Sequence, residues 1–224
     1  MDRTVAGPEH IDSVTRCITL AFAADPVWSV ALAREDGRTD HHEPYWRLFV
    51  EGAARHGTVF LLDGGSAVSV WLPPGAPELS PGLETALEDL VATALDDLAR
   101  ASIHELYRRF ETSRAAVPVH HAYLSLLATH PDDRGRGVGQ ALLAADLADW
   151  DRDGVPAYLE STNPRNDHLY ARAGFARIGG FQAVRNDAPI SAMWRDAGRG
   201  PAALQDQPAA GAALGSGSSD ARST

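Results

Sequence analysis

Apolar residues recur at helical spacing through Ile11, Val14, Ile18 and Phe22, which predicts an amphipathic helix capped by Asp12 or Ser13 and ended by Asp25-Pro26. A second, short helix is predicted through Tyr45, Leu48 and Phe49. Two apolar runs, Thr58 to Leu62 and Ala67 to Leu72, flank Asp63-Gly64-Gly65 and read as a hairpin. Pro73, Pro74 and Pro77 then break the chain into a loop. From 82 to 112 the pattern is helical again, with one stripe through Leu83, Leu87, Val91, Leu95 and Leu98. Ser102 and Glu105 resemble a capping box that restarts this helix.

After Pro118 the pattern changes to a strand from His120 to Thr129, a glycine-rich loop, and a helix from Val138 to Trp150 that Gly154 stops. A strand follows at Ala157 to Ser161. Next comes a short helix from Asp167 to Ala173 closed on Gly174, then strands at Phe175 to Ile178 and Ile190 to Trp194. Helices and strands in this order predict an α/β (α+β) layer fold around one mixed sheet. Residues 198–224 have no aromatic or aliphatic β-branched residue to build a core with, and read as a disordered tail behind a folded domain of residues 1–197.

Composition narrows the partners. The 224-residue chain has 30 acidic residues against 20 basic ones, all arginine, for a formal charge of -10. This balance argues against nucleic acid and anionic membranes and favours a cationic small molecule. Cys17, alone, forms no internal disulfide. No run of about 18 apolar residues predicts a membrane span. The first residues show no signal-peptide pattern. The expectation is a cytoplasmic protein, monomer or homodimer. His41, His42 and Glu43 cluster in sequence, but adjacent loop residues share no face, and no metal site is expected. Trp28, Trp46, Trp71 and Trp194 read as core or pocket wall, and Trp71 is a candidate for lining a hydrophobic acceptor site.

The stretch from Tyr123 into Arg134-Gly-Arg-Gly-Val-Gly-Gln140 carries the most chemistry. A buried strand runs into glycines and then into a helix. Gly135, Gly137 and Gly139 let the backbone approach a ligand closely, and the amides at the helix start are unpaired and lie at its positive end. Arg134 and Arg136 add full charges. The combination reads as a pyrophosphate cradle, against the alternative of a turn whose glycines serve geometry alone. A Walker loop needs a lysine, which this chain lacks. A Rossmann fingerprint needs a third glycine where Gln140 stands.

Arg134-Gly-Arg-Gly-Val-Gly139, behind His130-Pro131-Asp132, resembles the Arg/Gln-x-x-Gly-x-Gly/Ala motif of the GCN5-related N-acetyltransferase (GNAT) superfamily. Asn163 with Leu169-Tyr170 and Gly174-Phe175 resembles that superfamily's second motif. Ala21 to Pro26, Ala67 to Trp71 and Tyr158 to Asn166 resemble its puromycin N-acetyltransferase-like branch.

The resemblance implies a mostly antiparallel sheet whose central strands splay, flanked by helices, with acetyl-CoA as cosubstrate. It assigns Leu127, Ala128 and Thr129 to main-chain contacts with the pantetheine arm. Arg134, Gly135, Arg136, Gly137, Val138, Gly139 and Gln140 go to the pyrophosphate, and Asn163 and Arg172 to the rest of the cofactor. Tyr170 is the expected general acid. Glu160 is the leading general base, with His121, His120 and Asp25 as alternatives. The implied activity is transfer of an acetyl group to a primary amine of a small molecule, with antibiotics as a candidate class. A protein or polyamine acetyltransferase and a non-catalytic acyl-CoA sensor stand as alternatives.

Overall fold

The computed structural model describes residues 2–198; the tail predicted from 198 onward lies outside the described residues beyond Gly198. The elements are β1 (Arg3–Val5), α1 (Ile11–Phe22), α2 (Trp28–Ala31), α3 (His42–Ala54), β2 (Val59–Leu62), β3 (Ala67–Leu72), α4 (Pro81–Ala94) and α5 (Asp97–Ala115). They continue as β4 (Ala122–Thr129), α6 (Val138–Arg152), β5 (Ala157–Ser161), α7 (Asp167–Arg172), β6 (Ala176–Gln182) and β7 (Pro189–Arg195). The strands form one seven-stranded sheet in the order β1-β2-β3-β4-β5-β7-β6. Every pairing is antiparallel except β4 with β5. Helices cover both faces. One core lies under α1, α3, α4 and α5, built on Val14, Ile18, Trp46, Val50 and Ile103. The other lies under α6, built on Leu124, Leu142, Leu143, Leu147 and Leu159.

Most predicted elements are present, and the departures have local causes. α3 begins at His42 and runs past the predicted short helix, burying Tyr45, Trp46, Phe49 and Val50. The long helix breaks at Leu95, not at Ser102: Leu95 is extended, and the Asp96 carboxylate accepts the Ala99 N–H at 2.8 Å to start α5. Ser102 sits inside α5, its hydroxyl donating to the Leu98 carbonyl at 2.7 Å, a use that competes with capping. Neither Asp12 nor Ser13 caps α1; Ser13 donates its hydroxyl back to the His10 carbonyl. Strand β1 and helix α2 are too short to announce themselves in a periodic pattern.

The geometry that opens the site is in the middle of the sheet. Strand β4 pairs with β5 only at Ala122, Tyr123 and Leu124, and beyond Leu124 the two strands part. At the same level β4 carries one extra residue, Ser125, opposite the Val70–Trp71 step of β3. This bulge shifts the alternation of faces by one residue. Tyr123, Leu126 and Ala128 therefore pack on the α1/α3 side, and Leu124 and Leu127 on the α6 side.

Candidate active site

The glycine loop has the form of an anion cradle. Gly135 and Gly137 take left-handed backbone angles, φ 78° and 76°, which a side chain at either position would strain. A Cβ on Gly139 would meet Thr129 Oγ1 at 2.5 Å, so this glycine lets α6 lie against the end of β4. Within the loop, Asp133 N–H bonds to His130 O at 2.9 Å, and Arg134 and Arg136 N–H make long contacts at 3.4 Å. The N–H groups of Gly135, Gly137, Val138, Gly139 and Gln140 have no backbone or side-chain acceptor among the described residues. They cluster at the positive end of the 15-residue helix α6. Arg136 is ion-paired to Asp133, and Arg134 donates to the Ala21 carbonyl at 3.2 Å. Each guanidinium thus has one contact within its own surroundings, beside the loop's free backbone amides.

A cleft with about 780 Å³ of empty space, part of it open to solvent, lies where β4 and β5 part. Ser125, Leu126 and Leu127 form one wall; Glu160, Ser161 and Asn163 form the other, with Tyr170 beside them. The N–H and C=O groups that β4 presents to β5 beyond Leu124 lack ladder partners. Ala128 and Thr129 continue that strand toward the loop but do not line the cleft.

Glu160 is the most perturbed carboxylate here. Its Oε1 accepts the Tyr158 hydroxyl at 2.8 Å, while Oε2 is sealed from solvent and has no partner among the described residues. Burial pushes its pKa up to about 7. The Arg114 guanidinium and the hydroxyls of Tyr158 and Tyr123 pull the other way, and the Glu78 carboxylate adds to the rise. Tyr158 also pairs with the Ser113 hydroxyl at 2.8 Å; with the tyrosine proton committed to Glu160, Ser113 is the donor. Arg114 lies over the Tyr123 ring at 4.6 Å and pairs with Glu78 at 3.2 Å, and Glu78 accepts the hydroxyl of the bulge residue Ser125.

Tyr170 lines the cleft and packs edge-on against Phe175, with ring centroids 6.2 Å apart. Burial, with Asp25 and Asp167 adding to it, raises its hydroxyl above the usual tyrosine range, so it keeps its proton at neutral pH. Asn163 faces the cleft and also starts a turn, its side-chain oxygen accepting the Arg165 N–H at 3.2 Å. Arg172 is exposed on the last turn of α7 and does not line the cleft.

The other base candidates are not brought to the centre. His121 is outside the cleft: its Nδ1 contacts the Pro118 carbonyl at 2.6 Å and its ring stands edge-on to Tyr158, 5.4 Å away. His120 is exposed. Asp25 lines the cleft but is spent on structure, accepting the N–H groups of Val27 and Trp28 and the Thr162 hydroxyl. Trp71 belongs to the α6 core, its indole N–H donating to Asp146 at 2.9 Å, so it is not an acceptor-site wall. His41 and His42 do meet, edge-on at 4.6 Å, but are buried at the start of α3, with His41 Nε2 on the Leu32 carbonyl.

Glu78, Arg114, Ser125 and Tyr158 were not singled out by the sequence. Only Tyr158 had a signal, since residues two apart on a strand share a face and Glu160 is two residues on. Glu78 and Arg114 come from a loop and a helix end that converge only in the fold.

Comparison with known proteins agrees with this geometry. Residues 90–177 match the family model of the acetyltransferase (GNAT) domain. A mycothiol acetyltransferase of Propionibacterium freudenreichii is 43% identical over 56 residues, which is 24% of this chain and only 18% of that relative's length. Three solved structures share the fold. An arylalkylamine N-acetyltransferase like 5b from mosquito has a TM-score of 0.61 at 17% identity, covering 87% of this chain and 99% of that one. An agmatine N-acetyltransferase has 0.60 at 16% identity, covering 87% and 98%. A histone acetyltransferase HPA2 and related acetyltransferase from Corynebacterium glutamicum has 0.55 at 23% identity, covering 89% and 96%.

Proposed function

We propose, from the match of residues 90–177 to the acetyltransferase (GNAT) domain, that this chain transfers an acetyl group from acetyl-CoA to the primary amine of a small molecule. The observation that supports it best is the set of free amides at Gly135 and from Gly137 to Gln140, beyond the end of the strand that forms one wall of a cleft holding Glu160 and Tyr170. Five amides, an abutting helix end and close backbone packing at Gly139 fit a diphosphate. The unpaired edge of β4 from Ser125 to Leu127 fits the amide-bearing arm of the same molecule.

Bound there, acetyl-CoA supplies an activated acetyl thioester. The protein must then manage two protons. An ammonium has no lone pair, so Glu160 Oε2 accepts a proton from the amine; a carboxylate pKa near 7 suits that task at neutral pH. Tyr170, which also lines the cleft, holds its proton on Oη and is the acid that would give it to the departing CoA thiolate as the amine takes the acetyl group. A main-chain N–H near Leu127 is the candidate donor to a developing oxyanion, a contact worth roughly 3 kcal/mol where such donors have been removed. Antibiotic amines are a finer version of the same reading and belong in the substrate panel.

The cradle is tested by Gly137→Asp, which sets a negative carboxylate beside the free amides and strains a left-handed residue. Calorimetry with CoA is expected to show binding abolished while circular dichroism shows the fold retained. Undiminished affinity would remove the cradle from this stretch.

A further inference from the structure

The cleft offers an acceptor one place for a positive charge and a broad place for a ring. Three carboxylates line it, and two are already committed. Asp25 Oδ1 accepts N–H groups of Val27 and Trp28 at 2.9 and 3.0 Å, and its Oδ2 accepts the Thr162 hydroxyl at 2.8 Å. Glu78 holds the Ser125 hydroxyl on one oxygen and Arg114 at 3.2 Å on the other. Glu160 Oε2 alone is free among the described residues, and it is buried. Away from the parted strands and the polar residues after β5, one stretch of the wall is aromatic: Phe22, Trp28, Trp46, Phe49 and Phe110. Trp28 lies parallel to Phe110 at 5.9 Å and edge-on to Trp46 at 5.2 Å, so the rings brace one another.

We infer that the acceptor is a monoamine with an aryl or similarly broad apolar body, its single ammonium on Glu160 Oε2 and its body against Phe22, Trp28 and Trp46. The inference rests on the amine-acetylation reading above and narrows it. A diamine is the poorer fit on physical grounds. Its second ammonium would give up water and meet carboxylates that already have partners, and a ring face returns only part of that hydration loss. An aryl body loses water gladly and gains contact with each ring.

The test uses the intact chain with saturating acetyl-CoA and follows thiol release with 2-phenylethylamine, ethylamine and 1,4-diaminobutane. The expected kcat/KM for 2-phenylethylamine exceeds the other two by about tenfold or more. Without acetyl-CoA, 2-phenylethylamine is expected to perturb tryptophan emission at concentrations where 1,4-diaminobutane does not, since Trp28 and Trp46 line the site. Trp28→Leu is expected to raise KM for 2-phenylethylamine about tenfold and to shift that for ethylamine by less than about twofold. Phe22→Ala, at a half-buried position, is a second variant in case Trp28→Leu does not fold. Equal efficiency across the three amines, or a preference for the diamine, overturns this inference and leaves acetyl transfer standing. Thiol release with none of them overturns both.

Discussion

Among single side chains, Glu160 ties mechanism to pH most directly. A rate that needs its carboxylate rises as pH climbs through about 7 and levels off above it. Stability runs the opposite way. The folded chain holds this proton up to about 7, whereas an unconstrained glutamate releases it near 4.5. The stabilisation is therefore complete below the ordinary value and is lost as pH rises through about 7. Glu160→Gln is expected to lower kcat by about a hundredfold or more. It is also expected to raise Tm relative to the parent chain at about pH 8 and not at about pH 4, read by thermal melts at the two pH values. Tyr170→Phe keeps the ring against Phe175 and removes only the proton. Stopped-flow kinetics and calorimetry are expected to show kcat down by about tenfold to a hundredfold and CoA affinity unchanged.

At the scale of elements, the bulge at Ser125 and the parting of β4 from β5 work together. The extra residue turns Ser125 toward Glu78, and the parting exposes the strand edge beside it. Neither is written in hydrophobic alternation, because Tyr123 to Ala128 is apolar at nearly every position and reads as an unbroken buried strand. The family resemblance supplied the splay; the bulge emerged from the register with β3. The division of the long helical stretch is a similar case. Ser102 and Glu105 have the spacing of a capping box, yet Asp96 is the residue with an extended backbone and a carboxylate on a free N–H. Asp96→Ala is expected to destabilise the fold by about 1 kcal/mol in urea titration with KM for the amine unchanged, since the cap lies away from the cleft.

Across the molecule, Asp146 ties α6 to two strands of the sheet. This carboxylate on α6 is fully buried and accepts from Arg3 of β1 at 2.7 Å, Ser69 of β3 at 2.6 Å and Trp71 of β3 at 2.9 Å. It fixes α6 against the sheet, and α6 carries the free amides at its other end. Asp146→Ala leaves the Ser69 hydroxyl and the Trp71 indole N–H without their acceptor, while Arg3 keeps Asp149, and is expected to cost about 3 kcal/mol in denaturant unfolding. Activity measured well below the lowered Tm is expected to survive, because no atom of Asp146 faces the cleft.

The chain by itself determined most of the elements and the glycine loop ahead of α6. Both rest on interactions between near neighbours: apolar periodicity, turn residues, and glycines placed just ahead of a helix. Tyr170 was singled out for the same reason, since it sits in a short motif, and Glu160 was one of four candidate bases. Tertiary structure alone separated the base candidates: Glu160 and Asp25 both line the cleft, but Asp25 is hydrogen-bonded on both oxygens, and His121 lies outside it. It also decided the acceptor's surroundings. Phe22, Glu78 and the pair Phe110 and Arg114 come from α1, a loop and α5, and no local pattern records that a loop and two helices will meet over one gap in the sheet.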